Sequence, residues 1–171
     1  MTGHRSICSL INGKDAHGGA SVPILNPHNG EPIAELALAD AATVSTAVAA
    51  AAAAQPVWAG VPAVQRGAIL FKACALIEER GEELSRIVAE EAGKPLKDAR
   101  GETGAAVQCG RFFAAEGQRL FGRTMPSNVA NKYAMTVRQP CGVAALITAA
   151  NTPAPTFAWK AFPALICGNA V

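Results

Sequence analysis

The chain has 171 residues, half of them apolar, enough for one packed core with an appended element. Its 15 basic and 13 acidic residues leave a formal charge of +2 and are spread along the whole length. Without the concentrated basic stripe that a phosphate backbone requires, nucleic acid is not an expected partner.

The start, Met1 to Cys8, lacks the apolar stretch of about 7 to 15 residues that follows the charges of a secretion signal. Short apolar runs then alternate with turn residues. Ser9-Leu10-Ile11 precedes Asn12-Gly13-Lys14, Val22-Pro23-Ile24-Leu25 precedes Asn26-Pro27-His28-Asn29-Gly30, and Ile33 to Leu38 follows. This pattern predicts a small antiparallel arrangement of short strands. His4, His17 and His28 fall in this region without ligand spacing, so no metal site is expected.

Asp40 is the candidate N-cap of an alanine-rich helix carrying Val44 and Val48 four apart, expected to stop near Gln55-Pro56. The Ala41 to Ala54 run contains Thr and Ser and falls short of the roughly 20 residues that span a bilayer. A soluble, cytoplasmic protein without membrane contact is therefore expected. A second helix starts near Pro62, with Ile69, Leu70, Ala73, Leu76 and Ile77 at helical spacing, and Gly81 ends it. A third runs from Glu82 to Gly93, closed by Gly93-Lys94-Pro95, where a C-cap glycine is followed by proline. A fourth covers about Leu96 to Leu120. Its glycines between Gly101 and Gly110 predict close approach of another helix.

After a turn at Met125-Pro126-Ser127-Asn128 the period returns to two. Tyr133 to Arg138 alternates, as a strand with one wet face does, whereas Gly142 to Thr148 is almost wholly apolar, as a buried parallel strand is. Asn151-Thr152-Pro153 then opens a turn before an apolar helix over Phe157 to Ile166, and Gly168 to Val171 enters another apolar run. A strand, a helix and the beginning of a second strand form the start of a parallel βαβ unit, so the fold class is α/β.

Five cysteines (Cys8, Cys74, Cys109, Cys141, Cys167) are odd in number and widely spaced among apolar neighbours, so reduced thiols packed as small hydrophobes are expected. Lys94 reads as a solvated charge at a helix C-terminus, and Lys160 as a side chain reaching the surface or a carboxylate. Trp58 and Arg66 read as packing and surface pairing. No GxGxxG fingerprint is present, since Gly101-Glu102-Thr103-Gly104 has neither the preceding strand nor the spacing.

The ordered landmarks Leu10 to Lys14, Asn26-Pro27 through Gly30-Glu31, Trp58, Arg66, Glu91 to Pro95, Val137-Arg138 through Gly142-Val143, and Leu146 to Pro153 continued by Trp159-Lys160, Pro163 to Leu165 and Gly168-Asn169 resemble the aldehyde dehydrogenase superfamily. The resemblance covers essentially the whole chain and corresponds to the N-terminal part of such an enzyme. It implies that residues 1–131 begin the NAD(P)-binding domain, that 132–140 form an oligomerisation strand of a homodimer or homotetramer, and that 141–171 begin the parallel cofactor-binding sheet. It also implies that Asn151 donates its side-chain amide to the oxyanion formed when a cysteine thiolate attacks an aldehyde. On the residues alone, Asn151 reads rather as the opening of a turn before Pro153, and only the resemblance favours the oxyanion role.

The same resemblance implies that Thr148, Ala149, Ala150 and Asn151 lie along NAD or NADP. In that family the asparagine usually follows Pro-Trp and precedes an aromatic. Ala149-Ala150 and Thr152 depart from this, which alters the expected pocket. The nucleophilic cysteine and the glutamate base of the family have no counterpart in these 171 residues, so this chain alone is expected to be inactive, a fragment truncated before the catalytic domain. The alternative is a non-catalytic oligomerisation or interaction module of the same fold.

Overall fold

A computed structural model describes residues 5–171. His4 lies outside the described residues. Asn12 and Gly13 both take left-handed backbone (φ 51° and 73°), the conformation of a two-residue hairpin turn, and they join β2 (Ser9–Ile11) to β3 (Lys14–Ala16). A second sheet has the order β1-β5-β4, with β1 at Arg5–Ile7, β4 at Ser21–Leu25 and β5 at Pro32–Ala37. β4 and β5 are antiparallel, but β1 lies parallel to β5, contrary to the all-antiparallel expectation. Alternation sets which face of a strand is covered, not which neighbour takes its free edge.

Asp40 caps α1 (Ala41–Gly60), accepting from Thr43 N at 2.7 Å. Val44 and Val48 remain about half exposed on this helix. The helix does not stop at Pro56 but continues one turn beyond it. Proline removes one helical hydrogen bond, at a cost of roughly 3 kcal/mol in a helix interior. Tertiary bonds on both sides of Pro56 offset that: Gln55 Nε2 donates to Gly168 O at 3.0 Å and Trp58 Nε1 to Leu165 O at 2.8 Å. Among the described residues no single helix is long and apolar enough to cross a membrane. The pair α1 and α2 (Ala63–Glu79) would pass together by length and composition but is bent by 117°.

α2 ends at Glu79, and Arg80 leads directly into α3 (Gly81–Ala92). Gly93 then adopts φ 66° as the expected left-handed terminus. α4 (Leu96–Ala115) is followed by a 3-10 turn at Glu116–Gln118, so its last expected residues tighten into a different helix. α5 (Pro153–Ile166) starts earlier than its apolar run, with Pro153 in the first turn, where its missing N–H costs nothing.

The core lies where α2, α4 and α5 meet, through Leu70, Cys74, Val107, Ala114, Phe162 and Ile166. Gly110 meets the close-packing expectation, because an added Cβ would sit 2.7 Å from Cys74 Sγ and 2.8 Å from Phe162 Cζ. Gly101 and Gly104 do not, for a Cβ there would meet nothing within 4 Å.

Arg66 is buried rather than surface-paired. Its guanidinium donates to Ile166 O (3.1 Å), Ala59 O (3.2 Å) and Val61 O, neutralising the carbonyl ends of α1 and α5 with one fixed charge.

The expected turn at 125–128 is partly strand: β6 (Thr124–Pro126) pairs antiparallel with β7 (Tyr133–Met135), which is the part of the predicted 133–138 strand that pairs as one. Gly142 to Thr148 is extended but is not a buried strand. It makes one parallel bridge, Val143 to Ala170, with Ala170 N donating to Gly142 O at 3.0 Å and Ala144 N to Ala170 O at 2.8 Å. That bridge spans α5 in the parallel sense expected of a βαβ unit. Its residues alternate between exposed and half-buried, and Ile147 is 84% exposed. An apolar strand becomes buried only when sheet neighbours and covering helices flank it, and among the described residues Ala170 alone pairs with it.

Candidate functional site

The segment from Ile147 to Thr152 connects this extended stretch to α5. Thr148, Ala149, Ala150 and Asn151 are all exposed. Both ends of the segment are held by lysines, one on α5 and one in the link between α3 and α4. Lys160, on α5, donates its ammonium to Ile147 O, and Lys94, between α3 and α4, donates to Asn151 O at 2.7 Å.

Lys94 is not the solvated charge its position suggested. Its ammonium also pairs with Glu102 on α4, and each of the two side chains is only 15% exposed. Lys160 lies at the surface, the first of its two expected placements, and its ammonium reaches a backbone carbonyl there. Thr152 occupies the N-cap position of α5; its O accepts from Thr156 N at 3.1 Å and its hydroxyl bonds that of Thr156 at 3.1 Å. Asn151 therefore sits just before the N-cap of a rigid helix, exposed and with its backbone carbonyl held.

The first turn of α5 holds Pro153 and Pro155, so of its first three residues only Ala154 carries an N–H. Such an end is a poor cradle for phosphate, which needs several converging N–H groups. Ala149 and Ala150, just before it, are small and exposed.

Two of the five thiols are tuned away from reactivity. Burial pushes Cys74 and Cys109 up from the ordinary thiol value, the opposite of what a nucleophile requires. Cys141 and Cys167 are exposed and Cys8 is half-buried. His17 and His28 are exposed, and among the described residues no group of three His, Cys, Asp or Glu side chains could hold a metal ion.

Sequence reasoning missed the contacts that organise the site. Lys94 and Glu102 stand eight residues apart across a helix start, a spacing that hints at pairing, but Lys94 and Asn151 are 57 residues apart. Asn169 was read as a landmark only. Its carboxamide is nine-tenths buried; Oδ1 accepts from Cys141 N and Gly142 N and Nδ2 donates to Ala164 O.

An extended stretch leading into a helix, with its parallel partner returning beyond, places the site in an α/β protein whose loop lies at the carboxyl end of that stretch, where open α/β sheets bind ligands. The family model described as "Aldehyde dehydrogenase family" matches residues 14–171, and the chain belongs to that family. It is 38% identical over 162 residues to succinate-semialdehyde dehydrogenase [NADP(+)] GabD of Escherichia coli, covering 94% of this chain and 34% of that protein. It is 37% identical to the glutarate-semialdehyde dehydrogenase of Pseudomonas putida, with the same coverage.

Among solved structures, 3,6-anhydro-L-galactose dehydrogenase in complex with NAP superposes with a TM-score of 0.92 at 32% identity, over 96% of this chain and 35% of that one. PnpE in complex with nicotinamide adenine dinucleotide gives 0.92 at 34% identity, over 95% and 34%. The chain thus spans about a third of the length of the relatives it matches.

Proposed function

We propose that this chain supplies the N-terminal third of an NAD(P)-dependent oxidoreductase that converts an aldehyde to a carboxylic acid through a cysteine thiohemiacetal. The observation that carries the reading is Asn151: exposed, at the end of the extended segment, with its backbone carbonyl held by Lys94. When a thiolate adds to the aldehyde carbon, the C–S bond forms and the carbonyl oxygen takes the negative charge. A neutral amide fixed beside that oxygen lowers the barrier, and losing one such donor costs about 100 to 1,000-fold in rate.

Thr148, Ala149, Ala150 and Asn151 would line the dinucleotide through backbone groups, a fit supported by their exposure and by the two alanines. The scarcity of N–H groups at the proline-rich start of α5 favours the nicotinamide portion over the pyrophosphate. When bound, NAD(P)+ supplies the hydride acceptor. The nucleophile and the general base would come from the remainder of the polypeptide, so this chain alone turns over no aldehyde.

Residues 1–131 and 141–171 would belong to the cofactor-binding domain and 132–140 to an oligomer contact of a homodimer or homotetramer. The exposed apolar side chains of Tyr133, Met135 and Val137 support that contact. Cytoplasmic residence belongs to the same proposal.

The test measures NAD(P)H formation with an aldehyde panel. The 171-residue chain is expected to give none, and in the longer polypeptide Asn151→Ala should lower kcat about 100 to 1,000-fold. Turnover by the chain alone, or an unchanged kcat in the variant, would overturn the reading.

A further inference from the structure

We propose that Lys94, held by Glu102, is a positioning residue for the Asn151 amide; this rests on the oxyanion reading of Asn151. Lys94 stands on rigid backbone. Gly93 before it has φ 66°, and a Cβ added there would lie 2.6 Å from Pro27 Cγ, so the residue before Lys94 can be little else but glycine. Pro95 after it is the N-cap of α4 with φ fixed by its ring. The lysine Cα is therefore set by α3, α4 and Pro27 together.

From there the side chain is drawn inward. Glu102 projects from the second turn of α4, its Oε1 takes the ammonium, and its Oε2 is buried with no hydrogen-bond partner among the described residues. A carboxylate so placed has Lys94 as its compensation. An ion pair 85% withdrawn from water is a costly way to gain stability, and its best-attested use is to specify one geometry. The geometry specified here is the second bond of the ammonium, 2.7 Å to Asn151 O.

That bond fixes the peptide plane on the carboxyl side of Asn151. Thr152 O is already engaged by the first turn of α5, and Ile147 O by Lys160. Without Lys94, residues 148–151 would be an exposed loop anchored only to α5 and free to swing about it. With it, the loop is tied to α4 as well, and the Asn151 side chain has only its own two torsions left. Displacing a catalytic group by about 1 Å costs on the order of 100-fold, so the tether acts on rate although it touches no substrate.

The experiment is a double-mutant cycle in the longer aldehyde-oxidising polypeptide, with hydrogen exchange as a readout independent of turnover. Lys94→Met is expected to lower kcat about 10 to 100-fold and to raise KM for NAD(P) as well, because the freed loop 148–151 also lines the dinucleotide. In the Asn151→Ala background the same substitution should add less than about 2-fold, because the group it positions is gone. Exchange at the backbone amides of 149–152 should accelerate in Lys94→Met, with protection around Val107 in α4 unchanged.

Glu102→Gln reads the same cycle if Lys94→Met does not fold. Additive losses in the double variant, or unchanged exchange at 149–152, overturn the proposal. If Asn151→Ala alone retains the full rate, the oxyanion reading fails instead, and the exchange measurement decides the tether separately.

Discussion

Asn169 Oδ1 accepts from the backbone N of Cys141 at 2.7 Å, and from Gly142 N at 3.0 Å, while its Nδ2 donates to Ala164 O at 3.0 Å. One carboxamide thereby joins the start of the extended 142–148 segment to the end of α5. The backbone ladder beside it consists of a single bridge, Val143 to Ala170. The side chain thus does what further strand pairing would otherwise do, and it keeps the site loop at the opposite end of that segment in register with α5.

Replacing Asn169 by Ala leaves the N–H groups of Cys141 and Gly142 without their partner, while Ala164 O keeps the backbone N–H of residue 169. A loss of about 2 to 4 kcal/mol is expected, from a net worth of about 1 kcal/mol per bond plus the cost of stranded polar groups. Urea unfolding of Asn169→Ala against the unsubstituted chain checks this. Asn169→Asp keeps the two accepted bonds but turns a donor into a charge against Ala164 O, so it should not rescue.

The helix α4 offers a paired test on glycine. Gly110→Ala forces a methyl against Cys74 Sγ and the Phe162 ring and should cost about 1 to 3 kcal/mol, as overpacking of a filled core does. Gly104→Ala adds its methyl to open space in a helix interior and should stabilise by up to about 1 kcal/mol. Thermal melts of the two variants are expected to move in opposite directions; a common direction would contradict the packing described at Gly110.

Glu82 links two helices, bonded by Arg100 from α4 through both carboxylate oxygens (2.8 and 2.9 Å) and by Arg86 at 2.8 Å. The hydrogen bond from Arg100 holds its carboxyl below the ordinary value of 4.5. A folded-state value lowered in this way contributes stability above pH 4.5 that is lost as pH falls through the lowered value. Glu82→Gln should therefore melt below the unsubstituted chain at pH 6, with the two curves converging under acid, and salt should narrow the gap because the pair is exposed. A difference that does not vary with pH would assign the effect to something other than this charge.

Much of the scaffold was legible because its signals act over a few residues. Asn12-Gly13 has the chemistry of a left-handed two-residue turn, Asp40 has an oxygen that reaches Thr43 N, and Gly93-Lys94-Pro95 ends one helix and starts another. Pro56 was misleading for the same reason. Its local effect is to end a helix, and the bonds that carry α1 past it come from Gly168 and Leu165, more than 100 residues away. Arg66 was misread because a charge is a surface residue by default, until two helix ends converge on it.

The order of motifs in the sequence by itself determined the family, the α/β class and the position of Asn151 between an extended stretch and a helix, all of which depend on residue type and short spacing. What the tertiary structure decided is where polar groups find their partners. Burial of Lys94 against Glu102, the hold on Asn151 O, the closure by Asn169, and the failure of Gly142 to Thr148 to become a covered strand all depend on which distant elements come within about 3 Å, the hydrogen-bond distance. That proximity belongs to the folded arrangement, since no local rule links residues 57 positions apart.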